Sequence, residues 1–282
     1  MNGDVGVFAR TFPRSSAAEV AQAVAAAGFQ VAQFNFSAIG RPTVDPHADP
    51  AELSAVTQAF AQRGIAMWGL SATYNTTHPD LQKRTRDTHA AARVIGMSHL
   101  LGVRAVTLCT GTRSAQDMWT WHPDNSSPQA WRDLRATLEI LIPAAADAGV
   151  ALGVEPEPAN IIADAHHAVR LMHELGNNAR HVGIVLDPAN LISPSTLARQ
   201  RQIIDEAFDL LGEHVIGLQA KDMDRRGPAP LGQGEVDWDL IAARTASLRQ
   251  PVPIIIQDAS EQDAARSGAF LRERLVSARA AR

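Results

Sequence analysis

Short apolar runs rich in β-branched residues alternate with longer, alanine-rich segments along the whole chain of 282 residues. Eight of the runs read as strands: "VGVFAR" from Val5, "VAQFNF" from Val31, "IAMWGLSA" from Ile65, "AVTLCTG" from Ala105, "ALGVEPE" from Ala151, "VGIVLDP" from Val182, "VIGLQAKD" from Val215 and "PIIIQD" from Pro253. Between them, apolar positions recur every three or four residues over 17–27, 81–101 and 130–148, the period of a helix with one buried face. Gly28, Gly64, Gly102, Gly149 and Gly176 stand just before the next strand, where a left-handed residue closes a helix. Eight βα units of roughly thirty residues predict one (β/α)8 barrel over 1–282. A doubly wound open sheet is the rival, but no glycine-rich dinucleotide turn follows the first strand. No linker or low-complexity run divides the chain. The longest irregular stretches, 111–128 and 223–237, follow the fourth and seventh strands, where barrel enzymes carry active-site loops.

Such a barrel builds its site at the C-terminal ends of the strands, so the polar residues there are the candidates. They are Asn35, Ser71 with Tyr74 and Asn75, Thr110, Glu155 with Glu157, Asp187 with Asn190, Gln219 with Lys221 and Asp222, and Gln257 with Asp258. Side chains two apart on a strand share a face. Glu155 and Glu157 are therefore expected to face the barrel mouth together, as are Gln219 and Lys221. Oxygen donors converging from several strands suit a divalent cation such as Mn²⁺, Mg²⁺ or Zn²⁺. Without a cation, paired carboxylates repel and at least one pKa rises.

Composition narrows the partner more than the fold. The chain is 45% hydrophobic and 20% charged, with a formal charge of -4 and a pI near 6.2. That leaves no basic field for a phosphate backbone, which argues against nucleic acid as a partner. No run reaches the length of a membrane span, and "MNGDVGVFAR" lacks the pattern of a signal peptide. The one cysteine, Cys109, excludes an internal disulfide framework and fits a reducing cytoplasm. Within "AVTLCTG" it reads as a buried strand residue, not a nucleophile.

The motifs "GVEPEPAN", "VGIVLDPANL", "GLQAKDMD", "PLGQGEVDWDLI" and the closing "IIIQD" resemble, in that order, the xylose-isomerase-like TIM barrels of the sugar phosphate isomerase/epimerase superfamily. "YNTTHPD" and "TLCTGTRSAQDMWTWHPDN" in the first half are similar to one bacterial branch of it. The resemblance implies an isomerase or epimerase that moves a proton next to a carbonyl of a small polyhydroxylated substrate, a sugar or sugar phosphate. It also implies one divalent ion, held by Glu155, Asp187, Gln219 and Gln257. The last two depart from the pattern, which has histidine and glutamate there, so the ion is expected to be weakly held or absent. Gln257 can neither accept nor return a proton. The catalytic set is therefore Glu155, Glu157 as the second carboxylate, and Lys221 facing the enediolate. A lyase that dehydrates a keto-polyol, such as an inosose or a dehydroshikimate-like acid, is the first rival. A degenerate barrel that binds a sugar without turnover is the second. Homo-oligomers are compatible with either.

Residues near the predicted mouth complete the set. Asn35, His78, Trp119, His122, Asn190 and Asp222 are candidate substrate contacts, an indole being well suited to the apolar face of a sugar ring. His78 and His122 each stand in "HPD", which also simply begins a helix, and Asp222 can orient Lys221. His166, His167 and His173 read as outer surface, Trp68 as core, and Asp237 as a helix cap.

Overall fold

The computed structural model describes residues 5–280; the first four residues of the N-terminal stretch and the last two of the chain lie outside it. Strands β1 (Val5–Phe8), β2 (Val31–Phe34), β3 (Ala66–Ser71), β4 (Ala105–Leu108), β5 (Ala151–Val154), β6 (Val182–Leu186), β7 (Val215–Ala220) and β10 (Ile254–Ile256) close into one barrel. Every adjacent pair is parallel, and β10 returns to β1 through Val5 opposite Ile254. Helices α1 (Ala17–Ala26), α2 (Pro50–Ala61), α3 (Leu81–Met97), α4 (Pro128–Ala148), α5 (Ala165–Leu175), α6 (Gln200–Leu211), α7 (Trp238–Ala246) and α8 (Glu261–Ala280) form the connections. The expected barrel is present, and each of the eight apolar runs supplies a strand. One stretch expected to be irregular holds a small antiparallel hairpin, β8 (Asp222–Asp224) with β9 (Gly227–Ala229). Among the described residues no helix is long and apolar enough to cross a membrane.

Capping explains why the helices start where they do. Ser16, Asp49, Asp80, Ser127, Asp164 and Asp237 each accept a backbone N–H of the first turn. Gly102 and Gly149 close their helical segments in the left-handed conformation, as their position before a strand predicts.

The strands face two cores. Their outer faces pack against the helices, while Phe8, Val31, Trp68, Ala105, Val185 and Ile255 fill the barrel interior with Ile216. Two register shifts make room for the largest of these. Ala32 pairs with Met67 but Gln33 with Gly69, so β3 carries an extra residue and Trp68 turns inward. On the opposite wall, Ile184 pairs with Val215 but Val185 with Gly217. A Cβ at Gly217 would lie 2.3 Å from the Trp68 ring, so only glycine admits the indole there. Trp68 is 2% exposed, and truncating a tryptophan in such a core to alanine costs about 3–5 kcal/mol. It packs beneath the layer of polar side chains at the strand ends.

Candidate active site

The polar layer begins where each strand runs out. Glu155 directly follows β5, Asp187 follows β6, Gln219 lies near the end of β7, and Gln257 follows β10. Pro156, Pro158 and Pro188 cannot extend a ladder, so the chain leaves the sheet there and the acids stay at the rim. Glu155, Glu157, Gln219, Lys221, Gln257 and Asp258 line one cavity of about 320 Å³ with Arg10, Gln33 and Trp119.

One hydrogen-bonded ladder crosses that cavity. Asn190 donates to Glu155 Oε1 at 2.7 Å, and Lys221 Nζ donates to Asn190 Oδ1 at 3.0 Å. The same ammonium stands 3.3 Å from Asp187 Oδ2 and 4.0 Å from Asp258 Oδ2. Asp258 Oδ1 in turn accepts from Arg10 at 3.1 Å. Asp187 has no solvent exposure. Its Oδ1 caps the following turn at the Ala189 amide, while its Oδ2 has no well-aligned hydrogen bond among the described residues. Lys221 is thus the charge that balances it. Gln219 is placed with its amide nitrogen toward Glu155, because the reverse sets oxygen against oxygen. It then donates to both Glu155 oxygens, at 2.8 and 3.0 Å, and meets the Gln257 amide at 2.6 Å.

Burial and charge act together on this cluster. Burial pushes the Glu155 carboxyl up, to about 8, against the pull of Lys221. Burial raises Glu157 and Asp187 as well. Burial alone would lower Lys221, but Asp187, Glu155, Asp258 and Glu157 outweigh it and push the ammonium up. Lys221 is held as a cation. Glu157 differs from its neighbour: its backbone is fixed by Ile162 and Asn160, yet its carboxylate carries no hydrogen bond among the described residues.

The loops over the mouth are pinned by residues that the sequence did not single out. Asn160 Oδ1 accepts from the Gly111 amide at 3.0 Å and from the Cys109 thiol at 2.8 Å, and its amide donates to the Met118 carbonyl. Gly111 has φ +73, and a Cβ there would meet Asn75 Oδ1 at 2.4 Å. Asp133, within α4, pairs with Arg84 at 3.1 Å and Arg113 at 2.7 Å. Burial pushes the Cys109 thiol up, and the residue lies buried just past the end of β4.

Of the expected site residues, Glu155, Glu157, Asn190, Gln219, Lys221, Gln257 and Trp119 reach the cavity, and Asp187 joins through Lys221. Four do not stand as expected. Asn35 is buried just past the end of β2, where its Oδ1 accepts from the Ser37 amide and the Thr43 hydroxyl. His122 caps the short turn Pro123–Ser126 by accepting from Asp124. His78 accepts from the Asp80 amide and lines a separate cavity of about 530 Å³, which shares Thr73 and Trp119 with the central one. Asp222 makes no bond to Lys221: it accepts from the amides of Met223, Gly232, Gly234 and Val236 and so organises the loop after β7, beside a cavity of about 490 Å³ that it lines with Asn190 and Lys221. Asn, Asp and His cap as readily as they bind, and a sequence does not display the angle that decides. Arg10 and Gln33 were missed. Gln33 had a signal: a lone amide inside an apolar strand.

Asp258 is the larger surprise. Strand alternation turns it away from Gln257's face, yet it is the only described non-glycine residue with positive φ, at 54. That left-handed turn aims its carboxylate back toward Lys221, a strained conformation of the kind found at functional sites.

A divalent ion fits this donor set poorly. Two of the four expected ligands are neutral amides, Glu155 already accepts from Asn190 and Gln219, and an ammonium stands against Asp187. No group of three or more His, Cys, Asp or Glu side chains among the described residues is arranged to hold a metal ion.

No curated protein sequence matches the chain. Among solved structures it is similar to an L-ribulose 3-epimerase (14% identity, TM-score 0.74, covering 99% of this chain and 96% of that one). It is also similar to the apo form of 3-keto-D-glucoside 4-epimerase from E. coli (17%, TM-score 0.72, covering 96% and 99%). D-psicose 3-epimerase from Clostridium cellulolyticum with D-tagatose gives 14% and a TM-score of 0.70, covering 98% and 99%. At these identities the likeness establishes the fold. The sequence profile of the xylose isomerase-like TIM barrel matches residues 21–274, and the chain belongs to that family.

Proposed function

We propose that the protein is an enzyme of the sugar isomerase/epimerase type, moving a proton next to the carbonyl of a small polyhydroxylated substrate. The observation that carries this reading is the approach of two carboxylates, Glu155 and Glu157, and one ammonium, Lys221, to a single cavity of about 320 Å³. The similar solved structures, all of sugar epimerases, support the same reading. The same reading gives the enzyme a small-molecule carbohydrate substrate, and the single cysteine fits work in a reducing cytoplasm.

Each residue has a part that follows from its bonds. Glu157, whose carboxylate has no hydrogen bond to give up, takes the proton from carbon. Negative charge then develops on the substrate oxygen, where Lys221, already fixed by Asp187 and Asn190, stabilises it without reorganising. Glu155 is the second acid. Its carboxyl, pushed up to about 8 by burial, starts protonated, is held by Asn190 and Gln219, and gives that proton to the carbon as Glu157 keeps the one it removed. Trp119, 51% exposed at the rim, offers an apolar face to the sugar ring. No step runs through Gln257 or through a metal ion.

The test is deuterium uptake from D₂O into a panel of ketoses, keto-glycosides and keto-polyols, followed by NMR. Label at a carbon next to a carbonyl supports the reading. A compound that binds in the cavity and takes up no label argues for a binding barrel without turnover.

A further inference from the structure

The poor fit of a divalent ion and the placement of Lys221 have one explanation. The four strand-end positions supply two carboxylates, Glu155 and Asp187, and two neutral amides. Lys221 Nζ touches one of the four, at 3.3 Å from Asp187 Oδ2, and reaches Glu155 through Asn190, whose Oδ1 accepts from it at 3.0 Å. A fully buried carboxylate oxygen without an aligned hydrogen bond needs a countercharge close by. Here the countercharge is covalently part of the chain.

We propose that the Lys221 ammonium occupies the place of a divalent cation, as the resident positive charge that meets the substrate oxygen, and that the site works without a bound metal. A glutamate at 257 would bring the cluster to three carboxylates, enough negative charge to draw a dication in beside the lysine. Glutamine leaves two carboxyl groups at the four strand-end positions, and Lys221 stands directly against Asp187. An incoming dication would have to displace the N–H groups on Glu155 and sit within a few ångströms of a fixed ammonium. Lysine suits the part because its charge is compact and carries three donors that can serve Asp187, Asn190 and a ligand at once. The catalytic half of this inference rests on the proton-transfer reading; the exclusion of the dication does not.

The two halves are tested separately. Binding of Mn²⁺ is followed by loss of the free-ion EPR signal, in the wild type and in Lys221→Met, Lys221→Arg and Gln257→Glu. The wild type and Lys221→Arg should leave the signal undiminished up to roughly 1 mM Mn²⁺, the weak end of protein affinities for hard cations. Lys221→Met, which removes the positive charge, and Gln257→Glu, which adds a carboxylate, should each tighten binding by at least about tenfold, reaching one result by different routes. Stoichiometric binding by the wild type with a Kd below roughly 10 μM overturns the proposal, and that measurement requires no variant to fold. Deuterium uptake by chelator-treated wild type should continue at its untreated rate. Uptake that appears only when Mn²⁺ is added overturns the inference and leaves the isomerase reading standing. Absence of uptake under both conditions overturns the isomerase reading, and the Mn²⁺ titration still decides the charge claim.

Discussion

The two halves of the barrel mouth are built from different chemistry. From β5 round to β10 the rim is charged, with Glu155, Asp187, Lys221 and Asp258 joined in one network through Asn190 and Glu157 lining the same cavity. From β2 to β4 it is neutral. There Gln33 donates to the Thr107 hydroxyl at 2.9 Å, and Ser71 and Thr73 share a hydrogen bond at 3.3 Å. The backbone scaffold is the same in both halves, so the difference lies in which side chains the last inward positions carry. A charged half can move protons, while a neutral half can only hold hydroxyls in place. One observation sharpens the second point: Gln33 Oε1 is buried without a partner among the described residues. Orphaned acceptors in a native site are uncommon and mark a place where a ligand donor fits.

That division makes a graded set of predictions. Glu157→Gln should have the largest effect, lowering kcat by about 10²–10⁴ with a small change in KM, because it removes the base and keeps the shape. Steady-state kinetics on the compound found by deuterium uptake checks this, and a normal kcat would remove Glu157 from the chemistry. Lys221→Met should lower kcat by about 10²–10³, the cost of losing one preorganised charge opposite an oxyanion. A Lys221→Met protein with kcat unchanged would place the ammonium outside the reaction. In the neutral half, Gln33→Met should raise KM by about tenfold and leave kcat nearly unchanged, as loss of a substrate hydroxyl contact does. A fall in kcat with KM intact would blur the distinction between the halves. His122→Ala should change kcat and KM by less than about twofold, because a cap at an exposed turn affects local order and not the cavity. A KM shift well beyond that range would return His122 to the site.

Much of the frame was legible because it depends on local rules. β-branched runs gave the strands, periodic apolar positions gave α1, α3 and α4, and glycines such as Gly102 and Gly149 marked the helix ends. The acids after "LGV" and "IVL" fell at strand ends by counting alone, so Glu155 and Asp187 could be assigned to the mouth. What could not be read depends on single backbone angles or one-residue shifts. The extra residues at Trp68 and Ile216 change which side chains face inward, and no periodicity reports a bulge. Asp258 joins the site only because its φ is positive, a conformation that aspartate tolerates and that strand alternation does not announce. Asn35, His122 and Asp222 were read as contacts because capping and binding use the same atoms. Asn160 and Asp133 hold loops together through partners more than fifteen residues away in sequence, which motif spacing does not record.

The most direct test of the central claim is the rate of deuterium uptake at the carbon next to the carbonyl, measured by NMR with metal-stripped wild type and Glu157→Gln side by side on one compound that both proteins bind. The account predicts steady uptake in the wild type and loss of it in Glu157→Gln, at equal occupancy of the cavity. Equal rates in the two proteins, or no uptake by a wild type saturated with the compound, would contradict it.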